Sequence, residues 1–242
     1  MTSKIFSDYQ SLSQATADLI KDYITKKPSS LVCIASGHTP VGVFQTLVKD
    51  VQSGGLDISK CVFLSLDEWV GIDPNDTGSC LSMLRRDFFE PLSIPDSQIE
   101  YFNVLTTDLE KECERINSLI NKKGGLDVML VGVGTNGHIG MNEPGTSFNS
   151  YAHVGDLAEE TKTVGQKYFS KETMLSKGMT LGLKHLQEAK LPIVMASGEK
   201  KAAIMGKAFS QQPTEQIPLT IIHLISQGYV MLDEQAASRV GT

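Results

Sequence analysis

Two patterns of apolar and polar positions alternate along the chain. Apolar side chains at the spacing of one helix face predict a helix over 9–26, and the same spacing predicts helices over 41–51, 79–89, 109–120 and about 201–209. Short continuous apolar runs predict strands that are buried on both faces. These runs cover 31–35, 61–66, 128–133, 179–183, 192–196, 219–224 and 229–232.

Strands that alternate with helices predict right-handed β-α-β units. We therefore expect an α/β fold: an open, mainly parallel, Rossmann-like sheet with helices on both faces. A length of 242 residues suits one such domain. No linker divides the chain, so we expect a single domain over 1–242. The stretch 149–178 is polar and only weakly periodic, which indicates a mobile lid.

Composition and charge narrow the classes of function. Hydrophobic residues make up 40% of the chain and charged residues 21%, which favours a large core over disorder. The formal net charge is −6 and no basic run is present, so we expect no nucleic-acid partner. The chain lacks a signal-like N-terminus and a long apolar run, so we expect a cytoplasmic protein without membrane contact.

One stretch, 126–145, places glycines and reactive polar side chains directly after a predicted strand. Its segment 132–137 has the spacing G-x-G-x-x-G, which matches a dinucleotide-binding fingerprint. That fingerprint requires a helix to begin within it, whereas Gly140 and Pro144 follow too closely for a regular helix. The glycines therefore favour a tight turn, and nucleotide binding is the weaker interpretation.

His138 lies five residues before Glu143 in the same stretch. An imidazole that is oriented by a carboxylate is a common device for proton transfer. Metal ligation is the alternative interpretation of His138. No second His or Cys stands at ligand spacing, so we expect no metal site.

Two acids, Asp67 and Glu68, follow the second predicted strand. Adjacent residues on an extended segment point to opposite sides, so one acid should face a cleft and its neighbour should face away. An acid at the carboxyl end of a buried strand is a candidate general base. A capping or salt-bridged acid is the alternative.

The turn Ser36-Gly37-His38-Thr39 joins the first apolar run to a predicted helix. Free N–H groups and the helix dipole favour an anion at such a turn, and the hydroxyls of Ser36 and Thr39 can add hydrogen bonds. Thr39 is expected to cap the helix, with Pro40 at its first position. An ordinary capped turn is the alternative interpretation.

Two lysines could complete a phosphate clamp with this turn. Lys201 stands at the start of a predicted helix, and Lys167 lies in the presumed lid. A solvated surface position is the alternative for each, because most lysines are exposed.

Three motifs together resemble a known family. Ser-Gly-His-Thr-Pro (36–40), Leu-Asp-Glu-Trp (66–69) and the glycine-rich loop (132–145) are similar in order and spacing to the motifs of the glucosamine-6-phosphate deaminase/isomerase family. The resemblance covers about 30–232, and that superfamily also contains the 6-phosphogluconolactonases. Leu-Asp-Glu-Trp, Gly-Gly-Leu-Asp (124–127) and Asn-Gly-His resemble most the galactosamine-6-phosphate branch.

The resemblance implies a role for each candidate residue. Asp67 would move a proton between C1 and C2 of the open-chain sugar, and His138, with Glu143 as its acidic partner, would open the pyranose ring. The turn Ser36–Thr39 would bind the phosphate together with Lys201. Lys167 falls where the deaminases have an arginine, which keeps the charge but loses bidentate geometry. The resemblance implies no cofactor.

Two further departures from the family pattern affect the site. Asn136 stands where the family has an aspartate two residues before the histidine. If that aspartate stabilises imidazolium, its loss should lower the pKa of His138 and weaken ring opening. His38 replaces a glycine in the phosphate turn, where it would tolerate another epimer, add a proton donor or point outward.

We therefore expect an amino-sugar-phosphate deaminase/isomerase that converts galactosamine 6-phosphate or glucosamine 6-phosphate to the ketohexose 6-phosphate and ammonia. Two alternatives stay open. A sugar lactonase would use His138 to activate water, and a non-catalytic sugar-phosphate-binding protein, which Asn136 favours, would have kept only the pocket. The allosteric deaminases are longer at the C-terminus, so we expect a monomer or small homo-oligomer.

Overall fold

The computed structural model describes residues 1–241, which form two sheets and the helices around them. The strands are β1 (Thr2–Phe6), β2 (Leu31–Ile34), β3 (Val62–Ser65), β4 (Asp67–Trp69), β5 (Ile99–Glu100), β6 (Val128–Val131), β7 (His153–Asp156), β8 (Lys177–Thr180), β9 (Leu191–Ala196) and β10 (Tyr229–Asp233). The helices are α1 (Tyr9–Lys26), α2 (Val41–Gln52), α3 (Cys80–Leu84), α4 (Leu109–Lys122), α5 (Glu159–Gly165), α6 (Leu183–Glu188), α7 (Ala202–Ser210) and α8 (Glu234–Ala237). None of the helices in the described part of the chain is both long and apolar enough to cross a membrane.

The large sheet has seven strands in the order β1-β10-β9-β6-β2-β3-β5, and all neighbouring strands are parallel. The predicted α/β fold class is therefore confirmed. The chain runs outward from β2 to β3 and β5, then returns to place β6 on the other side of β2. Ligand clefts form where strand order reverses in this way. The loops that follow β2 and β6 carry the predicted phosphate turn and His138.

Both faces of the large sheet are buried under helices. Along β2, Leu31 and Cys33 belong to one apolar cluster, whereas Val32 and Ile34 belong to the other. Helices α1 and α2 supply Leu12 and Phe44 to the second cluster, and α4 and α7 cover the opposite face. This two-sided burial explains why the inner strands are continuous apolar runs instead of alternating patterns.

Two predicted strands differ from the structure. The run 219–224 lies in a 3-10 helix, Pro218–His223, whose apolar side chains are buried. A short buried apolar run does not by itself distinguish a strand from a helix, and Pro218 favours the helical turn. The run 179–183 is strand only to Thr180, and this strand, β8, is antiparallel in the small sheet.

The structure also contains strands that the apolar pattern did not predict. Strand β1 is mostly exposed and polar, and its conformation follows from parallel pairing with β10. Strand β5 has only two residues. Such strands have no hydrophobic periodicity, so their pairing partners decide their conformation.

The polar stretch 149–178 holds more regular structure than its composition indicates. It contributes β7, helix α5 and a 3-10 turn, Gln166–Tyr168. Strands β4, β8 and β7 form the small antiparallel sheet in that order. Phe169 and Leu175 pack with Trp69 in a separate apolar cluster. The segment lies over the carboxyl edge of the large sheet, and its mobility stays a prediction.

Candidate active site

A cavity of about 1090 Å³ opens at the carboxyl edge of the large sheet. Of the candidate residues, its lining includes the whole turn Ser36–Thr39 together with Asp67, His138, Lys167 and Lys201. Asn136 and Glu143 are not part of the lining; they lie next to His138 and contact it or each other. The structure thus brings all the predicted site residues together.

The turn after β2 depends on a glycine. Gly37 has φ +85°, and a Cβ built there would lie 3.1 Å from Oη of Tyr168, so the position favours glycine in both conformation and space. The predicted cap is wrong, because the N-cap of α2 is Pro40, and the first-turn N–H of Gly42 donates to the Tyr9 hydroxyl at 2.8 Å. The Thr39 side chain instead lies beside Gly132 in the cavity wall.

Asp67 and Glu68 point in opposite directions, as the extended backbone requires. Glu68 is buried and accepts hydrogen bonds from Ser79 Oγ at 2.7 Å and from the backbone N–H groups of Cys80 and Leu81 at 2.9 Å. It therefore satisfies the first turn of α3. Asp67 faces the cavity with 8% of its surface exposed. Burial and, secondarily, the charge of Glu68 raise the pKa of Asp67 to about 7.

An amide separates the candidate histidine from its acid. Oδ1 of Asn136 lies 2.7 Å from Nδ1 of His138 and accepts the His138 backbone N–H at 3.0 Å. Nδ2 of Asn136 donates to Oε2 of Glu143 at 3.0 Å, whereas that oxygen lies 3.7 Å from Nδ1 of His138. The carboxylate therefore lies beyond hydrogen-bond distance of the ring, and Asn136 makes a hydrogen bond to each of them.

The environment of His138 disfavours its charged form. Burial is the largest cause that lowers the pKa of His138, the nearby Lys201 lowers it further, and Glu143 opposes both. Space for the ring comes from Gly134, because a Cβ there would lie 2.1 Å from Cε1 of His138. Gly137, with φ +88°, makes the turn that follows. Gly134 and Gly137 therefore shape a loop and do not begin a helix, because residues 132–152 contain no helix.

The two candidate lysines differ in burial. Lys201 ends a 3-10 turn, Glu199–Lys201, that leads into α7, and it is partly buried. Burial lowers its pKa. Lys167 lies in the 3-10 turn after α5 and is exposed. Among residues 1–241, no group of three or more His, Cys, Asp or Glu side chains is placed to hold a metal ion.

Sequence reasoning did not identify Thr161 and Tyr168, which reach the site from 149–178. Thr161 Oγ1 lies 3.2 Å from Nδ1 of His138. The Tyr168 ring stacks on His38 with centroids 5.4 Å apart, and its hydroxyl lies 3.4 Å from Nδ1 of His38. His38 therefore lines the mouth of the cavity under a tyrosine. The polar segment carries no periodic signal that could have revealed these contacts.

Comparison with known proteins decides the family. The model of the family described as glucosamine-6-phosphate isomerases/6-phosphogluconolactonase matches residues 7–231. The chain belongs to this family. The glucosamine-6-phosphate deaminase of Geobacillus sp. (strain WCH70) is 34% identical over 97% of this chain and 94% of its own length. Glucosamine-6-phosphate deaminase 1 of Bacillus subtilis (strain 168) is 34% identical over 95% of this chain and 96% of its own.

Solved structures agree with this family assignment. A structure described as a monomeric glucosamine-6-phosphate deaminase, the "missing link of the NagB superfamily", superposes with a TM-score of 0.94 at 33% identity, covering 99% of this chain and 100% of that one. The 6-phosphogluconolactonase of Trypanosoma brucei superposes at 0.80 with 18% identity, covering 99% and 98%, and shows the shared fold alone. The predicted family and the prediction of an enzyme are confirmed. None of these names supports the galactosamine branch.

Proposed function

We propose that this protein is an amino-sugar-phosphate deaminase/isomerase that converts a 2-amino-2-deoxyhexose 6-phosphate and water to a ketohexose 6-phosphate and ammonia. One observation carries the proposal: Asp67, whose burial raises its pKa to about 7, lines the same cavity as His138 and the turn Ser36–Thr39. A general base works best when its pKa lies near the working pH. The names of the relatives support the same chemistry.

The phosphate docks on the turn Ser36–Thr39 in this proposal. The dipole of the helix that follows the turn favours an anion, and Ser36 and Thr39, whose hydroxyls can donate hydrogen bonds, line the cavity. Lys201 and Lys167 supply positive charge from the other loops of the cavity. Because the phosphate is remote from the reacting carbons, its binding energy fixes the sugar relative to Asp67.

Ring opening is assigned to His138. It takes the proton of the anomeric hydroxyl and returns a proton to the ring oxygen as the C1–O5 bond breaks, which gives the open-chain aldehyde. In this proposal Glu143 has the part of acidic partner, with Asn136 hydrogen-bonded to both Glu143 and His138.

Asp67 then transfers a proton from C2 to C1. Removal of the C2 proton by Asp67, with transfer of one ammonium proton to O1, gives an enolamine, and return of the proton from Asp67 to C1 gives a protonated 2-imine. Water adds to the imine and ammonia leaves, so atoms and charge balance. A base of pKa about 7 can both take and return the proton at neutral pH.

We propose two substrates, galactosamine 6-phosphate and glucosamine 6-phosphate. The names of the relatives favour the glucosamine epimer, whereas Asn136 and Leu-Asp-Glu-Trp resemble the galactosamine branch. We also propose that the protein acts as a monomer or small homo-oligomer; the neighbour with a TM-score of 0.94 is described as monomeric.

The test is a panel of both amino sugar phosphates and 6-phosphogluconolactone, followed for ammonia, ketose phosphate and acid. We expect ammonia and ketose phosphate in equal amounts from an amino sugar phosphate, and a loss of about 10²–10⁴-fold in turnover for Asp67→Asn with binding retained. Lactone hydrolysis without ammonia release would identify a lactonase instead. Binding of the sugar phosphates without turnover of any would identify a binding protein.

A further inference from the structure

Two hydrogen-bond partners, one at the oxygen and one at the nitrogen of the side-chain amide, fix the orientation of Asn136. Its Oδ1 receives the backbone N–H of His138 at 3.0 Å, a group that only donates. Its Nδ2 donates to Oε2 of Glu143 at 3.0 Å, as only the NH2 end of the amide can. These two partners decide the orientation of the amide without reference to the imidazole.

This orientation determines the tautomer of His138. The atom that lies 2.7 Å from Nδ1 of His138 is Oδ1 of Asn136, which can only accept. Nδ1 must therefore carry a hydrogen. In a neutral ring, Nε2 then holds a lone pair. Because Nδ1 is engaged by protein and His138 lines the cavity, Nε2 is the nitrogen left for a ligand.

Thr161 adds a second contact on the same side of the ring. Its Oγ1 lies 3.2 Å from Nδ1 of His138, and the residue is buried with 5% of its surface exposed. A hydroxyl can accept or donate, so it adapts to the tautomer that Asn136 sets. Thr161 on helix α5 and Asn136 therefore both contact Nδ1 of the imidazole.

The amide makes these hydrogen bonds without adding charge. The charged groups that face the ring are Glu143, 3.7 Å from Nδ1, and Lys201, which acts with the opposite sign. An aspartate at 136 would add a second negative charge within hydrogen-bond distance of Nδ1. An opposite charge at this range favours the protonated imidazole.

We propose that Asn136 is a positioning residue that holds His138 as the neutral Nδ1–H tautomer, with Thr161 completing the contact, so that Nε2 is a free base at neutral pH. This inference rests on the proposed function, because a free Nε2 matters to a reaction that begins by taking the anomeric proton. In that step Nε2 accepts the O1 proton, the C1–O5 electrons go to O5, and O5 then receives the proton.

The test is the ¹⁵N spectrum of the histidine rings in the full chain from pH 5.5 to 8.5, with His138 assigned from its absence in His138→Gln. We expect a protonated Nδ1 and an unprotonated Nε2 in the wild type. Asn136→Asp should raise the pKa of His138 by about 1 unit or more. Asn121→Asp, an exposed site on α4, adds the same charge and should leave this pKa unchanged.

Two results would overturn the inference: an Nε2–H tautomer in the wild type, or an unchanged His138 pKa in Asn136→Asp. Thr161→Val supplies a second variant if Asn136→Asp does not fold. In Thr161→Val, His138 should keep the Nδ1–H tautomer, since Asn136 is intact. A changed tautomer in this variant would show that Thr161, and not Asn136, sets the tautomer. The spectrum does not require turnover. An inactive protein with the expected tautomer would therefore count against the proposed function alone.

Discussion

Asp67 of β4 pairs with Thr180 of β8 in an antiparallel register, and the buried Thr180 hydroxyl accepts the backbone N–H of Met141 at 3.2 Å. One threonine thus joins the strand of the candidate base to the loop of His138. The small sheet fixes Asp67 and the histidine loop relative to each other, an arrangement that preorganised catalysis would require.

The pKa of Asp67 predicts a pH dependence of both activity and stability. Activity should rise with pH through about 7 as the base ionises. The pKa of Asp67 in the folded protein lies above the ordinary value of 3.8, so the buried, protonated carboxyl favours the folded state fully below about pH 4. This contribution to the free energy of unfolding is lost as the pH rises through 7. Urea unfolding of wild type and Asp67→Asn at pH 5.5 and 8 measures this. From pH 5.5 to pH 8, the free energy of unfolding should fall less in Asp67→Asn than in the wild type. An equal fall in the two proteins would contradict the prediction.

Gly134→Ala should disable the enzyme without unfolding it. The added Cβ would overlap the His138 ring, whose atoms lie 2.1–2.4 Å away. A displacement of about 1 Å at a catalytic group costs about 100-fold in rate, so we expect a drop of that size in kcat/KM. Gly132→Ala is the matched control, because its Cβ would meet Thr39 at an ordinary 3.5 Å. Equal activity losses in the two variants would show that space beside His138 is not the cause.

Glu68→Ala should destabilise the fold by about 1–3 kcal/mol, since it leaves buried donors of the first turn of α3 unpaired. The donors are Ser79 Oγ and the N–H groups of Cys80 and Leu81. Thermal unfolding and urea titration measure the loss. Glu172→Ala, at an exposed position, should leave the midpoint unchanged. Full stability in Glu68→Ala would show that water replaces the carboxylate.

Lys201 and Lys167 should contribute unequally to phosphate binding. Lys201 is partly buried and Lys167 is exposed, and an ion pair gains more where solvent screens it less. We expect Lys201→Met to raise KM more than Lys167→Met, with a similar difference in inhibition by inorganic phosphate. Equal effects of the two substitutions would place the phosphate elsewhere in the cavity.

The sequence by itself determined the inner strands of the large sheet and the position of most of the site. Its inner strands are apolar runs buried on both faces, and reactive side chains follow directly after three of them. Because parallel strands end at the same edge of a sheet, the turn Ser36–Thr39, Asp67 and His138 had to converge. Extended geometry also separated Asp67 from Glu68, and Pro144 argued against a nucleotide-binding helix.

Only the tertiary structure decided the parts that depend on partners far along the chain. Strand β1 is polar and forms because β10 pairs with it, and the apolar run 219–224 became a 3-10 helix. Thr161 reaches His138 from a segment without periodicity. The pKa of Asp67 depends on burial, and the hydrogen bonds of Asn136 to His138 and Glu143 depend on how the loop folds. No local sequence pattern specifies either feature, because both arise from packing on several sides at once.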